Sequence, residues 1–157
     1  MTPKSLLRLE TAYGEIDQMA NGSFQPVIDD PSVTDKSKIE RIVLCTGKIY
    51  HDLVAAPQYA GRSKTAIVRI ELLSPMPGAE MNALLATYPN LKRLVWVQEE
   101  PKNMGARAYV RRRLLERLER PLEIDYVGRP YRASPSEGYP GAHAVEQERV
   151  IAEALQG

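Results

Sequence analysis

The sequence has very few cysteine and histidine residues. Its 157 residues include one cysteine, Cys45, and two histidines, His51 and His143. A single thiol excludes a disulfide framework and a thiolate zinc cluster. Neither histidine lies in a metal-binding spacing such as H-E-x-x-H. We therefore assign no residue as a metal ligand and expect a fold that needs no cross-link.

An excess of one charge and long apolar runs are also missing. The chain carries 21 Lys and Arg against 20 Asp and Glu, which gives a net charge of +1. Such a balance offers no electrostatic reason to expect nucleic acid or an acidic membrane as a partner. No apolar run approaches the roughly 18 residues of a spanning helix, so we expect no membrane segment. A chain of this length with 43% hydrophobic residues fits one globular domain.

The common catalytic motifs do not occur either. The sequence contains no G-x-S-x-G nucleophile elbow, no G-x-G-x-x-G turn and no phosphate-binding loop. Cys45 lies inside an apolar run, which is typical of a small buried side chain rather than of a nucleophile. The residues alone therefore assign no catalytic and no cofactor-binding residue.

What the sequence does contain is a regular alternation of two apolar patterns. Nearly continuous hydrophobic runs, which are typical of strands covered on both faces, lie at Arg41–Thr46, Thr65–Glu71, Lys92–Gln98 and Leu122–Val127. Segments with helical apolar spacing follow them, around residues 49–56, 81–85, 109–118 and 145–155. This order predicts an α/β fold, a mostly parallel sheet with crossover helices.

Residues 1–40 differ from the rest of the chain. They contain a polar stretch, a short strand candidate at Phe24–Ile28 and an acidic linker from Asp29 to Lys38. We interpret residues 1–40 as an N-terminal arm and linker, and residues 41–157 as the α/β domain. A Gly-, Pro- and Ser-rich segment from Gly128 to Gly141 is expected to form an ordered surface loop.

Ligands of parallel sheets collect at the carboxyl ends of the strands, where two segments of this chain are polar. Thr46-Gly47-Lys48 joins a strand to a helix, so it is either an anion-binding turn or simply a tight turn that needs glycine. Glu99 and Glu100 end another strand, where they point in opposite directions and do not form one carboxylate pair. Together with Pro101, they could instead begin the next helix, with Asn103 as its cap.

A basic run lies on the third predicted helix. Its members are Arg111, Arg112, Arg113, Arg117 and Arg120. Glu116 and Arg120 have the spacing of a favourable helical ion pair. Because no aromatic platform is interleaved with these arginines, we interpret the run as a solvated or subunit-docking face rather than a nucleic-acid site.

Several long strings identify a resemblance that covers residues 2–155. They are Thr2–Arg8 (TPKSLLR), Arg41–Leu53 (RIVLCTGKIYHDL), Val68–Pro77 (VRIELLSPMP), Tyr88–Ala106 (YPNLKRLVWVQEEPKNMGA) and Tyr126–Leu155 (YVGRPYRASPSEGYPGAHAVEQERVIAEAL). They closely resemble the C-terminal end of the 2-oxoglutarate dehydrogenase decarboxylating component. The resemblance implies a transketolase C-terminal-like three-layer domain, preceded by a short arm.

The family is a thiamine diphosphate enzyme of three α/β units, located in the bacterial cytoplasm or the mitochondrial matrix. The resemblance implies decarboxylation of 2-oxoglutarate and succinyl transfer to the lipoyl arm of the succinyltransferase component, within the tricarboxylic acid cycle. It also implies a homodimer partner. The family's cofactor signature, G-D-G followed by two asparagines, is absent, so thiamine diphosphate and magnesium are expected in the full enzyme and not in this chain. We expect this chain by itself to be inactive.

The resemblance points to two functional features. Some relatives bind a nucleotide or acyl-coenzyme A regulator where the second and third units meet, and Lys4 and Arg8 fall at that junction with charge suited to phosphate. The segment from Glu99 to Ala106 is expected to contact neighbouring subunits. Arg107 follows it at the position where the family has tryptophan.

Three interpretations follow. Met1 corresponds to a position inside the family's second unit, which suggests a fragment of a longer enzyme or a separately encoded remnant. As a fragment, the chain serves assembly and regulation while other units perform the chemistry, and it should expose apolar surface that promotes association. The alternatives are a free-standing module that binds a nucleotide or acyl-coenzyme A without catalysis, and a non-functional remnant.

Overall fold

The computed structural model describes residues 3–156, so Met1, Thr2 and Gly157 lie outside the described residues. The strands are β1 Val27–Ile28, β2 Arg41–Cys45, β3 Thr65–Ile70, β4 Arg93–Pro101 and β5 Glu123–Arg129. The α-helices are α1 Ile16–Asn21, α2 Lys48–Ala55, α3 Gly78–Ala86, α4 Arg107–Arg117 and α5 Pro140–Leu155. Short 3₁₀ segments lie at Lys4–Arg8, Glu10–Ala12, Lys36–Lys38 and Pro57–Gly61.

The strands form one sheet in the order β1-β3-β2-β4-β5. The pairings of β2 with β3, β2 with β4 and β4 with β5 are parallel, whereas β1 is antiparallel to β3. The predicted α/β class and the mostly parallel sheet are therefore confirmed. Each parallel connection runs through a helix, because parallel neighbours need a crossover to return to the same edge.

The sheet separates two hydrophobic cores. Along β2, Ile42 and Leu44 join the core beneath α3 and α4, while Val43 and Cys45 join the core beneath α2 and α5. This division follows from the alternation of side chains along a strand. Helices thus cover both faces and give the three-layer arrangement that was expected. No helix within residues 3–156 has the length and apolar character required to cross a membrane.

The end of β4 departs from the sequence prediction. The strand continues through Glu99 and Glu100 to Pro101, so the interpretation of these residues as the start of a helix is wrong. Asn103 is not a cap either, because α4 begins at Arg107 after Ala106. The register with β5 shifts between Val97 and Pro101. This irregularity lets a strand accommodate a proline, which has no N–H to donate to the ladder.

The described part of the arm has buried residues only towards its end. None of the 3₁₀ and α-helical segments before β1 buries a residue. From β1 onward the chain packs on the sheet, since Val27 pairs with Ile70 and Ile39 is buried. The division of the chain at residue 40 stays a prediction.

Asp30 fixes this part of the chain to the exposed edge of β3. Its carboxylate accepts a hydrogen bond from the backbone N–H of Ile67 at 2.9 Å and forms an ion pair with Arg62 at 3.1 Å. Both side chains are buried, with 1% of Asp30 and 8% of Arg62 exposed. Burial raises the pKa of Asp30, but hydrogen bonds from Ser32, Ile67 and Arg62 outweigh it and lower that pKa below its usual value. The carboxylate thus replaces a strand carbonyl where β1 has ended.

We expect Asp30→Ala to reduce the free energy of unfolding by about 3 kcal/mol, because it leaves a buried guanidinium without its counter-ion and a buried N–H without an acceptor. Urea denaturation followed by circular dichroism measures the change. Asp17→Ala, in the exposed helix α1, is the matched control and should change stability by less than about 0.5 kcal/mol. A loss for Asp30→Ala as small as that of the control would contradict the assigned role.

Candidate functional site

The strand order creates a topological switch point at β2. From β2 the chain crosses to β3 on one side and then, from β3, to β4 on the other side. The helices that follow β2 and β4 consequently lie on opposite faces, and they leave a crevice outside the carboxyl ends of these two strands. Ligands of open α/β sheets bind at such a position. The candidate site therefore consists of Thr46–Lys48 and the residues at the carboxyl end of β4.

Gly47 makes the turn into α2. Its φ of +68° lies in the left-handed region, where a side chain is strained. Of the two interpretations of Thr46-Gly47-Lys48, the structure favours the tight turn. The adjacent Lys48 side chain offers no free charge to an anion, because it is engaged by two carboxylates.

Lys48 is the centre of a polar cluster that joins three elements. Its Nζ contacts the carboxylate of Asp52 in the same helix and lies 3.2 Å from Oε1 of Glu99 at the end of β4. Gln147 of α5 completes the cluster, since its Nε2 donates to Asp52 Oδ2 and Glu99 Oε1, both at 2.9 Å. Burial lowers the pKa of Lys48, but the hydrogen bond to Asp52 and the charge of Glu99 outweigh this effect and raise it. Lys48 therefore remains an ammonium ion and is not a general base.

The nearby cysteine and histidine do not add a nucleophile to this cluster. Burial raises the pKa of Cys45 to about 12, so the thiol stays protonated and its nucleophilicity is low, as the sequence predicted. Burial, together with the charge of Arg69, lowers the pKa of His51. His51 packs edge-on against the ring of Tyr50, with 5.3 Å between the ring centres. Cys45 thus belongs to the core and His51 lies at its margin.

Glu99 and Glu100 lie on opposite sides of β4, as predicted for adjacent strand residues. Glu99 is half-buried in the Lys48 cluster, whereas Glu100 is exposed. The structure thus brings only one of these two carboxylates to the switch point. It does not form a carboxylate pair of the kind used in acid–base catalysis.

Gln98 organises the loop that joins β4 to α4, and the sequence analysis did not single it out. The side chain is buried, with 3% of the residue exposed. Its Oε1 accepts hydrogen bonds from Trp96 Nε1 at 2.8 Å and from the backbone N–H of Arg107 at 2.9 Å. Its Nε2 donates to the carbonyl oxygens of Met104 (2.7 Å), Pro101 (3.2 Å) and Glu100 (3.2 Å). One amide therefore sets the backbone path of the whole segment.

Gly105 is required beside this amide for two reasons. Its φ is +64°, and a Cβ at this position would lie 2.8 Å from Gln98 Nε2 and 2.9 Å from Glu100 Oε2. Any side chain would displace the Gln98 amide. The next helix then begins at Arg107, whose guanidinium lies 5.0 Å from the centre of the Tyr126 ring. At the position where the family resemblance led us to expect tryptophan, the chain thus has a cation above a tyrosine ring.

Arg129 ends β5 as a buried cation. Only 3% of its side chain is exposed, its Nη2 lies 2.8 Å from His143 Nδ1, and its Nη1 lies 4.0 Å from Glu137. Because arginine only donates hydrogen bonds, His143 Nδ1 is the acceptor in this contact. These contacts attach the 130–139 loop and the first turn of α5 to the sheet. The loop is shorter than the predicted Gly128–Gly141 segment, because Gly128 and Arg129 belong to β5 and α5 begins at Pro140.

The arginines of α4 and its C-terminal extension have two different roles. Arg112 and Arg113 form ion pairs with Glu116 at 2.7 and 2.8 Å. The predicted pair between Glu116 and Arg120 is wrong, because α4 ends at Arg117 and Arg120 turns back to the Tyr88, Pro89 and Leu91 carbonyl oxygens. The remaining members, Arg111 and Arg117, are exposed. The run is therefore mainly a solvated face, with one arginine that binds the turn between α3 and β4.

Lys4 and Arg8 begin and end one 3₁₀ segment of the arm, and both are exposed. A 3₁₀ helix rises about 2 Å per residue, so their backbones are separated by roughly 8 Å along its axis. Their contact with a regulator stays a prediction.

Comparison with known proteins adds information that the geometry does not contain. The family model for the 2-oxoglutarate dehydrogenase C-terminal region matches residues 13–155. The 2-oxoglutarate dehydrogenase E1 component of Geobacillus sp. (strain WCH70) is 46% identical over 157 residues, which is 99% of this chain and 16% of that protein. The E1 component of Azotobacter vinelandii is 43% identical over 158 residues, which is 99% of this chain and 17% of that protein. The chain thus spans about one sixth of the length of these relatives.

We expect Gln98→Leu to lower the free energy of unfolding by about 3 kcal/mol, because it leaves the buried indole N–H and the loop carbonyls without their partner. Thermal and urea denaturation of the purified chain measure the change. Gln18→Leu, an exposed glutamine of α1, serves as the matched control and should cost less than about 0.5 kcal/mol. Equal stability of the two variants would show that the amide does not organise the loop.

Proposed function

The chain belongs to the 2-oxoglutarate dehydrogenase C-terminal family, and we therefore propose that it acts as the C-terminal α/β domain of a 2-oxoglutarate dehydrogenase E1 component. The observation that supports this function is the similarity to named E1 components over 99% of the chain. The proposed reaction of the whole enzyme is decarboxylation of 2-oxoglutarate and succinyl transfer to the lipoyl group of the succinyltransferase component, in the tricarboxylic acid cycle. Because the relatives are bacterial, the proposed location is the bacterial cytoplasm.

The chemistry of that reaction is proposed to lie outside this chain. Thiamine diphosphate with magnesium needs oxygen ligands for the metal, and residues 3–156 hold no group of three or more His, Cys, Asp or Glu side chains that could bind a metal ion. At the switch point, Lys48 already occupies the space between Asp52 and Glu99. We therefore place the cofactor in the remaining units of the enzyme.

The contribution of this chain is proposed to be assembly. The arm exposes large apolar side chains of Leu7, Tyr13, Ile16, Met19 and Phe24, each with more than 60% of its surface accessible. Such clustering of exposed apolar residues is typical of interaction surfaces. We propose that the remaining units of the same enzyme and its homodimer partner cover them.

A regulatory role is proposed for Lys4 and Arg8. Both side chains are exposed on the same short segment as Leu7, so a phosphate-bearing ligand bound to them would lie at the proposed junction with the remaining units. Binding there would couple the ligand to the position of the arm. A nucleotide or an acyl-coenzyme A has the required charge.

A chimera tests the proposed E1 function directly. We expect the Azotobacter vinelandii E1 component to keep its activity when this chain replaces its matching segment, because the sequences align over 158 residues. The same enzyme without that segment should be inactive, and this chain alone should neither bind thiamine diphosphate nor release carbon dioxide from 2-oxoglutarate. Carbon dioxide release measures all three. Cofactor-dependent turnover by this chain alone would refute the proposal, and so would an inactive chimera that folds.

Calorimetric titration with acetyl-coenzyme A and with adenosine monophosphate tests the proposed regulatory contact. We expect at least one ligand to bind the chain, and the double variant Lys4→Ala, Arg8→Ala to abolish the signal. The control is Arg111→Ala with Arg117→Ala, which removes the same charge from the exposed face of α4. Loss of binding in both double variants would indicate a general charge effect, and binding that survives Lys4→Ala, Arg8→Ala would refute the assignment.

A further inference from the structure

Two neighbouring loops at the carboxyl edge of the sheet are joined to each other. The backbone N–H of Lys102, just after β4, donates to the carbonyl oxygen of Arg129 at 3.0 Å. The side chain of Asn103 exchanges two hydrogen bonds with the backbone of Arg132, at 3.0 and 3.1 Å. These bonds hold the β4–α4 loop against the 130–139 loop, so the side chains of the two loops lie next to each other.

Two cations meet at the ring of Tyr126 beside these loops. Arg107 Cζ lies 5.0 Å and Lys102 Nζ lies 5.9 Å from the ring centre, so the two charges are separated by no more than the sum of these distances. Lys102 Nζ also lies 5.9 Å from the ring centre of Tyr131, which has 65% of its surface exposed. Arg132 follows Tyr131 and is exposed as well. We refer to Lys102, Arg107, Tyr131 and Arg132 as the cationic loop surface.

The cations of the cationic loop surface form no ion pair with a carboxylate within residues 3–156. Glu100, on the same segment, points into solvent, and Glu146 of α5 is already paired with Arg149 at 3.0 Å. Only Nε of Arg107 is buried without a hydrogen bond, so the two terminal nitrogens of Arg107 and Nζ of Lys102 are open to solvent. An anionic partner could therefore reach these atoms and relieve the repulsion between them.

The shape and composition of the cationic loop surface indicate the kind of partner. A small ligand is normally enclosed over most of its own surface, whereas Tyr131 and Arg132 are exposed. Because the cations belong to two loops, an extended chain can contact all of them. Tyrosine and arginine are also enriched where proteins contact each other. A nucleic acid needs many cations to replace its counter-ions, and the net charge of this chain is only +1.

We propose that the cationic loop surface binds an acidic, extended segment of a partner protein. Carboxylates of that segment pair with Lys102, Arg107 and Arg132, and one of its apolar side chains packs on the ring of Tyr131. The loops of β4 and β5 lie at the opposite end of the strand order from β1, through which the arm joins the sheet. The inference therefore depends neither on the exposed arm nor on the proposed E1 function.

Titration of the 157-residue chain with acetylated and amidated hexaglutamate, followed by nuclear magnetic resonance, tests this inference. We expect shifts at residues 102–107 and 131–132, and an affinity that falls as salt is added, because the contact is electrostatic. Hexalysine is the probe of opposite charge and should cause no shifts there. Hexathymidylate, a single-stranded DNA, tests the nucleic-acid alternative and should bind more weakly than hexaglutamate.

Lys102→Gln combined with Arg107→Gln should weaken hexaglutamate binding about tenfold, as for the loss of two exposed ion pairs. The matched control is Lys38→Gln with Lys64→Gln, which removes the same charge from exposed residues that precede β2 and β3, at the opposite edge of the sheet. It should change the affinity less than about twofold, because the strands are longer than the ~8 Å over which exposed charges act at physiological salt.

Arg132→Gln, at an exposed loop position, gives an independent test if the Lys102 and Arg107 double variant fails to fold. It should weaken hexaglutamate binding about threefold, as for one exposed ion pair. Each of four results would overturn the proposal. They are the absence of hexaglutamate binding, binding of hexalysine or hexathymidylate that is equal or tighter, an affinity that neither variant of the surface changes, and an equal loss in the lysine control.

Discussion

The burial of β2 between β3 and β4 is the constraint on which the other layers depend. Four consecutive residues of this strand, from Ile42 to Cys45, have no exposed surface. Their side chains alternate between the two cores, so each helical layer packs on the same strand from opposite sides. Shifting β2 by one residue would exchange these two sets of side chains and disturb both cores together. The position of the switch-point crevice follows from the same strand.

Most of the fold could be predicted from the sequence because its elements have strong periodic patterns. The predicted strands at Arg41–Thr46 and Thr65–Glu71 each end one residue beyond the observed ones. The prediction failed at the end of β4, where the polar residues Glu99 and Glu100 and then Pro101 conceal a continuing strand. The sequence prediction also placed Arg120 on the helix, whereas α4 ends at Arg117 and Arg120 binds backbone carbonyls of the turn after α3. Every residue type has a backbone carbonyl, so the sequence does not indicate such a contact. Lateral strand order was not predictable either, since periodicity reports burial and not neighbours.

The candidate site was less accessible to sequence reasoning. Lys48 and Asp52 have a helical ion-pair spacing, but Glu99 and Gln147 reach them only through the sheet and α5. Glu99 lies 51 residues from Lys48, and Gln147 lies 95 residues from Asp52. Polar residues at such separations form no sequence motif. Gln98 was missed for a related reason, because four of its five hydrogen bonds go to backbone atoms, which every residue type provides. The family resemblance supplied what geometry could not, the kind of enzyme to which this domain contributes.

The way in which Gln98 recognises its loop has a consequence for sequence variation. Apart from the indole of Trp96, the Gln98 amide contacts main-chain groups, so these contacts do not depend on which side chains stand at positions 102 and 104. Lys102 and Met104 can therefore be exchanged without altering these contacts, provided that glycine remains at position 105. Asn103 is constrained separately, because its amide exchanges two hydrogen bonds with the backbone of Arg132. The side chains that this loop exposes can thus vary while the sheet and helices stay the same, as in binding loops carried by a rigid scaffold.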